Sequence, residues 1–170
     1  LPSHATWQEL CLSFSIQDLI AALARRAATN PLSFTFWNVR WLVSPHTDAA
    51  IGKRGAVCNQ ILRGTITALV ETHWTSADAD LWASAFPTAT RVLSAPAWGE
   101  RRGGVALIIP QRYEIISSAT LVDGCVLIAS VNDIRTQDKF SVIVAYFPPD
   151  ERTSVLTALK ACTLPEGRIY

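Results

Sequence analysis

The feature that most constrains this chain is a series of short, uninterrupted apolar runs, each closed by a polar residue or a turn. The clearest is FSVIVAY over 140–146, stopped by Pro148-Pro149. Runs this short and this rich in β-branched residues read as buried strands. TITALV over 65–70 is another and leads directly into Glu71, and GGVALII over 103–109 is a third. Further strands are expected over 90–94, 113–121 and 125–131, with Asp123-Gly124 as a turn. The segment 32–43 carries Phe34, Phe36, Val39 and Leu42, and its first part reads as a strand. Helical spacing occurs between such runs. It places Ala56, Val57, Gln60 and Ile61 on a helix over 53–63 ended by Gly64, and Val155, Leu156 and Leu159 on a helix over 150–161. Pro165-Glu166-Gly167 breaks that helix, and 168–170 reads as the start of another strand. Strand, loop, helix and strand in succession suit a layered α/β fold.

Before this region, Ile16, Leu19, Ile20, Leu23 and Ala27 recur at helical spacing. They predict a helix over 15–30, with Ser15 and Asp18 resembling a capping box and Asn30-Pro31 as its stop. The expected organisation is a helical extension over 1–31 followed by one domain over 32–170. At 49% hydrophobic and 17% charged residues the chain can bury a core and is not disordered. A net charge of +1 carries no global signature of nucleic-acid binding. The adjacent cations Arg25-Arg26, Lys53-Arg54 and Arg101-Arg102 read as solvated surface. Cys11, Cys58, Cys125 and Cys162 lack metal-knuckle spacing; Cys58 and Cys125 sit in apolar runs and read as small core residues, which points to a reducing, intracellular setting. No apolar stretch approaches the ~18 residues of a membrane span, and no secretory signal is evident. The chain starts with Leu and holds no Met, as expected of a piece of a longer protein.

The candidate chemistry lies at strand ends. Asn38 follows the first strand, Glu71 ends TITALV, and Tyr146 ends FSVIVAY. In open α/β folds ligands gather beyond the carboxyl ends of strands. A carboxylate there suits Mg²⁺, which takes one or two carboxylates with water and phosphate oxygens. An Asn amide can orient that carboxylate, and a Tyr hydroxyl can donate to developing phosphate charge. Each residue taken alone is equally a turn former or a solvated loop residue.

FWNVRWL, ALVETHW, RRGGVALII and VIVAYFPP occur in the order and approximate spacing of motifs in the endonuclease/exonuclease/phosphatase superfamily. Together they span about 32–149. The chain most resembles the apurinic-type endonuclease domains of non-LTR retrotransposons. The resemblance implies an α/β sandwich with mixed, mostly antiparallel sheets. It implies that Asn38, Glu71 and Tyr146 are catalytic, that Glu71 and Asn38 hold Mg²⁺ or Mn²⁺, and that Arg40, His73 and Trp74 line the substrate side. Gly103 and Gly104 are expected to have a structural role. The implied reaction is metal-assisted hydrolysis of a DNA phosphodiester, with nuclear localisation if the retrotransposon likeness holds. No protein partner is implied.

The chain departs from that pattern in three places. Trp41 stands where the family has Gly after N-V-R, and Val70 where it commonly has Gln before Glu. The later G-D-x-N and S-D-H motifs do not occur; Asn132-Asp133 has the wrong order, and His4, His46 and His73 all lie in the first half. The expectation is therefore a shortened domain without its general base and without one of its two facing sheets, which would leave an apolar sheet face exposed. Two other functions stay open: a different phosphoesterase of the same superfamily, or a non-catalytic module that retains nucleic-acid affinity.

Overall fold

The computed structural model describes residues 32–42, 44–97, 103–162 and 168–170. The helix expected over 15–30 and the Arg101-Arg102 pair lie outside the described residues. The chain divides into two units, Leu1–Ser33 and Phe34–Tyr170, and every element of the sandwich belongs to the second.

One sheet contains β1 (Phe34–Asn38), β2 (Ile66–Val70), β3 (Arg91–Ala95) and β4 (Val105–Ile109) in the order β1-β2-β4-β3. The other contains β5 (Tyr113–Val122), β6 (Val126–Asp133), β7 (Lys139–Ala145) and β8 (Arg168–Ile169) in sequence order. Pairings are antiparallel except β1 with β2 and β7 with β8. A parallel pair needs a crossover. Helix α1 (Asp48–Leu62) supplies it between β1 and β2, and α3 (Arg152–Ala161) lies between β7 and β8.

Both facing sheets are therefore present, and the expected loss of one is corrected. Alternation along the strands explains how they close. Ile66, Val70, Val105, Leu107 and Ile109 of the first sheet and Leu127, Ala129, Val131, Phe140, Val142 and Val144 of the second are all buried, and they form the inward rows. Phe34 and Phe36 lie on the inward row of β1, and Phe36 is 64% exposed.

Helices cover the outer faces. On the first sheet α1 and α2 (Ser76–Ala85) bury Ala50, Val57, Ile61, Ala79 and Trp82 against Leu69, Ala106 and Ile108. On the second, Val155 of α3 packs with Cys125, Val126 and Ile128. The structure starts α1 five residues before the expected 53, because Thr47 caps it through Ala50 N–H at 3.3 Å. Helix α2 was not anticipated, although Thr75 and Asp78 form a reciprocal capping box.

Lys53 is no solvated surface charge: its Nζ donates to the carbonyls of Arg40 at 3.3 Å and Trp41 at 3.5 Å as well as to that of Val39. Cys125 is fully buried and Cys58 is partly buried against the first core, as expected.

Candidate functional site

Because β1 and β2 run parallel in register, with Asn38 opposite Val70, the two chains leave the sheet side by side. Asn38 thus sits next to the strand end that carries Glu71. The antiparallel β4 begins at the same end, and its leading glycines receive the loop after β2. Thr72 N–H donates to Gly104 O at 3.1 Å and His73 N–H to Gly103 O at 2.9 Å. Gly104 N–H in turn donates to Gly124 O at 2.8 Å, which ties the first sheet to the second. Next to Gly124, Cys125 O accepts from Tyr146 N–H at 2.8 Å. A short relay of backbone hydrogen bonds therefore connects the Glu71 loop to the end of β7.

That relay brings two predicted side chains together. The Tyr146 hydroxyl and the Glu71 carboxylate lie close enough to interact. Burial first, and then the interaction with the Glu71 carboxylate and its charge, push the Tyr146 phenol up to about 12. It remains a neutral donor at physiological pH. Cys125 nearby is not a competing nucleophile: burial, followed by the Glu151 charge, pushes its thiol up to about 11.

The loops around Glu71 are strained. Glu71 and His73 have φ of +56° and +55°, and Arg40 and Trp41 have +37° and +66°. Non-glycine residues in this region are uncommon, and for bulky ones they are outliers. Hydrogen bonds hold the conformation. Trp41 N–H donates to Glu71 O and Leu42 N–H to Thr72 O, each at 3.0 Å. Asn38 Oδ1 accepts from Arg40 N–H at 3.1 Å, and Lys53 draws together the carbonyls of residues 39–41.

Gly104 is required twice over. Its φ is +89°, and a Cβ there would stand 2.4 Å from Thr72 Oγ1 and 3.1 Å from His73 N. The structural role expected of the glycine pair is thus a close approach directly beneath the Glu71 loop.

Among the substrate-side residues, Arg40 is exposed beside Asn38, and His73 stacks on Trp41 with ring centroids 4.9 Å apart. Trp74 needs correction. It is fully buried, stacks on Trp82, and donates its indole N–H to Leu42 O at 2.6 Å. Its position in the motif places it under the loop as a core residue, so it cannot touch a ligand on the rim. Trp41 and Lys53 were missed as site elements. The signal for Trp41 was present in the sequence as a bulky residue at a family glycine position; nothing local distinguished Lys53.

Glu71 and Asn38 offer a carboxylate and an amide oxygen at adjoining strand ends. These hard oxygen donors fit a divalent cation of the Mg²⁺ type, whose other positions go to water and phosphate oxygens. No group of three His, Cys, Asp or Glu side chains converges on a metal position among the described residues, so a cage made by the protein alone is not formed there.

No family model matches the sequence, and no curated protein matches it. Solved structures do. The catalytic domain of APE2 from Xenopus laevis is 15% identical with a TM-score of 0.52, the match covering 74% of this chain and 48% of that one. AP endonuclease LMAP from Leishmania major is 14% identical with a TM-score of 0.54, covering 76% and 46%. The mannosyl-6-phosphatase Bt3783 of Bacteroides thetaiotaomicron is 9% identical with a TM-score of 0.50, covering 76% and 57%. The fold is that of an endonuclease/exonuclease/phosphatase-type α/β sandwich with mixed, mostly antiparallel sheets. The chain spans about half the length of these structures. An AP endonuclease and a mannosyl-6-phosphatase share the architecture, so the fold alone does not select a substrate.

Proposed function

We propose that this chain provides the phosphate-holding and metal-holding strand ends of a metal-dependent phosphodiesterase that acts on DNA, of the non-LTR retrotransposon endonuclease type. The observation that carries this is the convergence of Glu71 and Tyr146 from two different sheets, with Asn38 at the strand end adjoining Glu71. In this reading Glu71 and Asn38 hold Mg²⁺ or Mn²⁺, and the ion neutralises phosphate charge and stabilises the leaving oxygen. Tyr146 keeps its proton and donates it as a hydrogen bond, either to Glu71 or to a phosphate oxygen. Its high pKa suits it to donating without ionising. Arg40 lies where it can meet the phosphate backbone, and the strained loops hold these groups in place before substrate arrives.

The name of one of the similar structures, AP endonuclease LMAP, supports a DNA substrate over a sugar phosphate. So does the exposed Trp41 ring, stacked on the half-buried His73 beside Glu71, since a small sugar phosphate has no planar base to meet it. The experiment is nicking of supercoiled plasmid by the purified chain in Mg²⁺, in chelator, and with Glu71→Gln. Metal-dependent nicking that disappears in the variant supports the reading. Salt-dependent DNA binding without nicking, by a folded chain, favours the non-catalytic nucleic-acid module instead. A folded chain that neither binds nor nicks DNA refutes both.

A further inference from the structure

Trp41 has a combination of properties that packing does not explain. It is 58% exposed, so burial contributes little to holding it. Its backbone sits at φ +66°, which disfavours any residue with a Cβ. Yet the side chain does not trail freely into solvent. It stacks on His73 with centroids 4.9 Å apart and planes 27° apart. Its own N–H is fixed on Glu71 O and its carbonyl is within reach of Lys53 Nζ. The result is a flat, pre-oriented aromatic surface, mounted on the same two loops that carry Asn38 and Glu71. The neighbouring Arg40 is also exposed. Strain kept at an exposed aromatic is a reason to look for a ligand.

We propose that Trp41, backed by His73, is a stacking platform for an unpaired nucleobase next to the phosphate held at Glu71. The chain would then prefer DNA with a frayed, bulged or single-stranded base at the target over fully paired duplex. This rests on the phosphodiesterase reading above and narrows its substrate. A paired base keeps its face inside the duplex, whereas an unpaired one offers it to the ring. Aromatic stacking of that kind is tolerant of sequence, so the preference is for local DNA structure and not for a base identity.

The test is binding of short duplexes carrying 2-aminopurine, either fully paired or opposite a one-nucleotide gap, in chelator and low salt, by anisotropy and by quenching of the probe. The wild-type chain should bind the unpaired probe about tenfold more tightly than the paired one and quench it. Trp41→Phe should keep part of this preference. Trp41→Gly relieves the backbone strain, so it should fold, and it should lose both preference and quenching. Equal affinity for the two probes in wild type, or an unchanged preference in Trp41→Gly, overturns the platform and leaves the nuclease reading standing. No DNA binding at all by the folded chain, in Mg²⁺ as well as in chelator, overturns both.

Discussion

Replacing Gly104 by Ala tests how the Glu71 loop is held. Two costs are separable. The first is backbone: at φ +89° an L-residue costs about 1–2 kcal/mol, partly offset by ~0.4–1 kcal/mol from a stiffer unfolded chain. The second is contact. The new Cβ would lie 2.4 Å from Thr72 Oγ1 and 3.1 Å from His73 N, a collision with a buried side chain and a fixed backbone. Over-packing of this kind costs about 1–3 kcal/mol. Gly64 provides the control, because it has φ +76° but nothing within 4 Å of its Cβ. Gly64→Ala should therefore cost about 1 kcal/mol or less. Gly104→Ala should cost about 2–4 kcal/mol, or roughly 4–16 °C in melting temperature for a domain of this size. Urea and thermal unfolding of both variants, followed by circular dichroism, give the comparison. The relay through Gly104 also predicts that the variant disturbs Tyr146, whose phenol should titrate closer to 10 as its contact with Glu71 loosens. Equal losses for the two glycine variants would refute the claim that close approach, and not the left-handed backbone alone, makes Gly104 necessary.

Three further outcomes are expected. Trp74→Ala should lose about 3–5 kcal/mol in chemical denaturation, since it empties a buried site and removes one of two indole donors to Leu42 O; a change below about 1 kcal/mol would return Trp74 to the surface. The Arg112–Asp133 ion pair is mostly buried, and Asp133→Asn, by removing the carboxylate charge from beside the guanidinium, should cost about 3–5 kcal/mol near neutrality. Burial raises the Asp133 carboxyl, but the Arg112 hydrogen bond and backbone N–H groups outweigh it and hold the group below its ordinary value. Its contribution is therefore full above the unfolded carboxylate pKa and is lost as pH falls through the folded one, so the gap between wild type and Asp133→Asn should close in acid. Tyr146 has the opposite sign. Its phenol is raised from 10.0 to about 12, so the stability it confers is present below pH 10 and lost as pH rises towards 12. In Glu71→Gln the phenolate absorbance assigned by difference from Tyr146→Phe should develop at lower pH than in wild type, and an unchanged titration would mean that Glu71 and Tyr146 do not interact.

Much of the architecture was legible in the chain because its strands are short, apolar and punctuated. TITALV, GGVALII and FSVIVAY became β2, β4 and β7 within a residue or two of the expected limits, since a buried strand must be apolar on both faces where helices cover one side and a second sheet the other. Asn38, Glu71 and Tyr146 could be named because polar residues ending such runs have to emerge at strand ends. Helix α2 was overlooked although Thr75 and Asp78 announce its start, because Trp82 and Ala79 alone make a weak periodic signal over so short a helix. Tertiary structure decided the rest. Trp74 follows His73 in sequence, but a left-handed turn at His73 sends one ring outward onto Trp41 and the other into the core. Lys53 looked like half of a charge pair until the β1–α1 connection folded three carbonyls over its amine. The meeting of Glu71 and Tyr146 joins positions 75 residues apart through Gly104, Gly124 and Cys125, and it depends on how two sheets stack, which no local pattern encodes. Periodicity reports which face of an element is buried; which side chains share a site is set by the packing of those faces against one another.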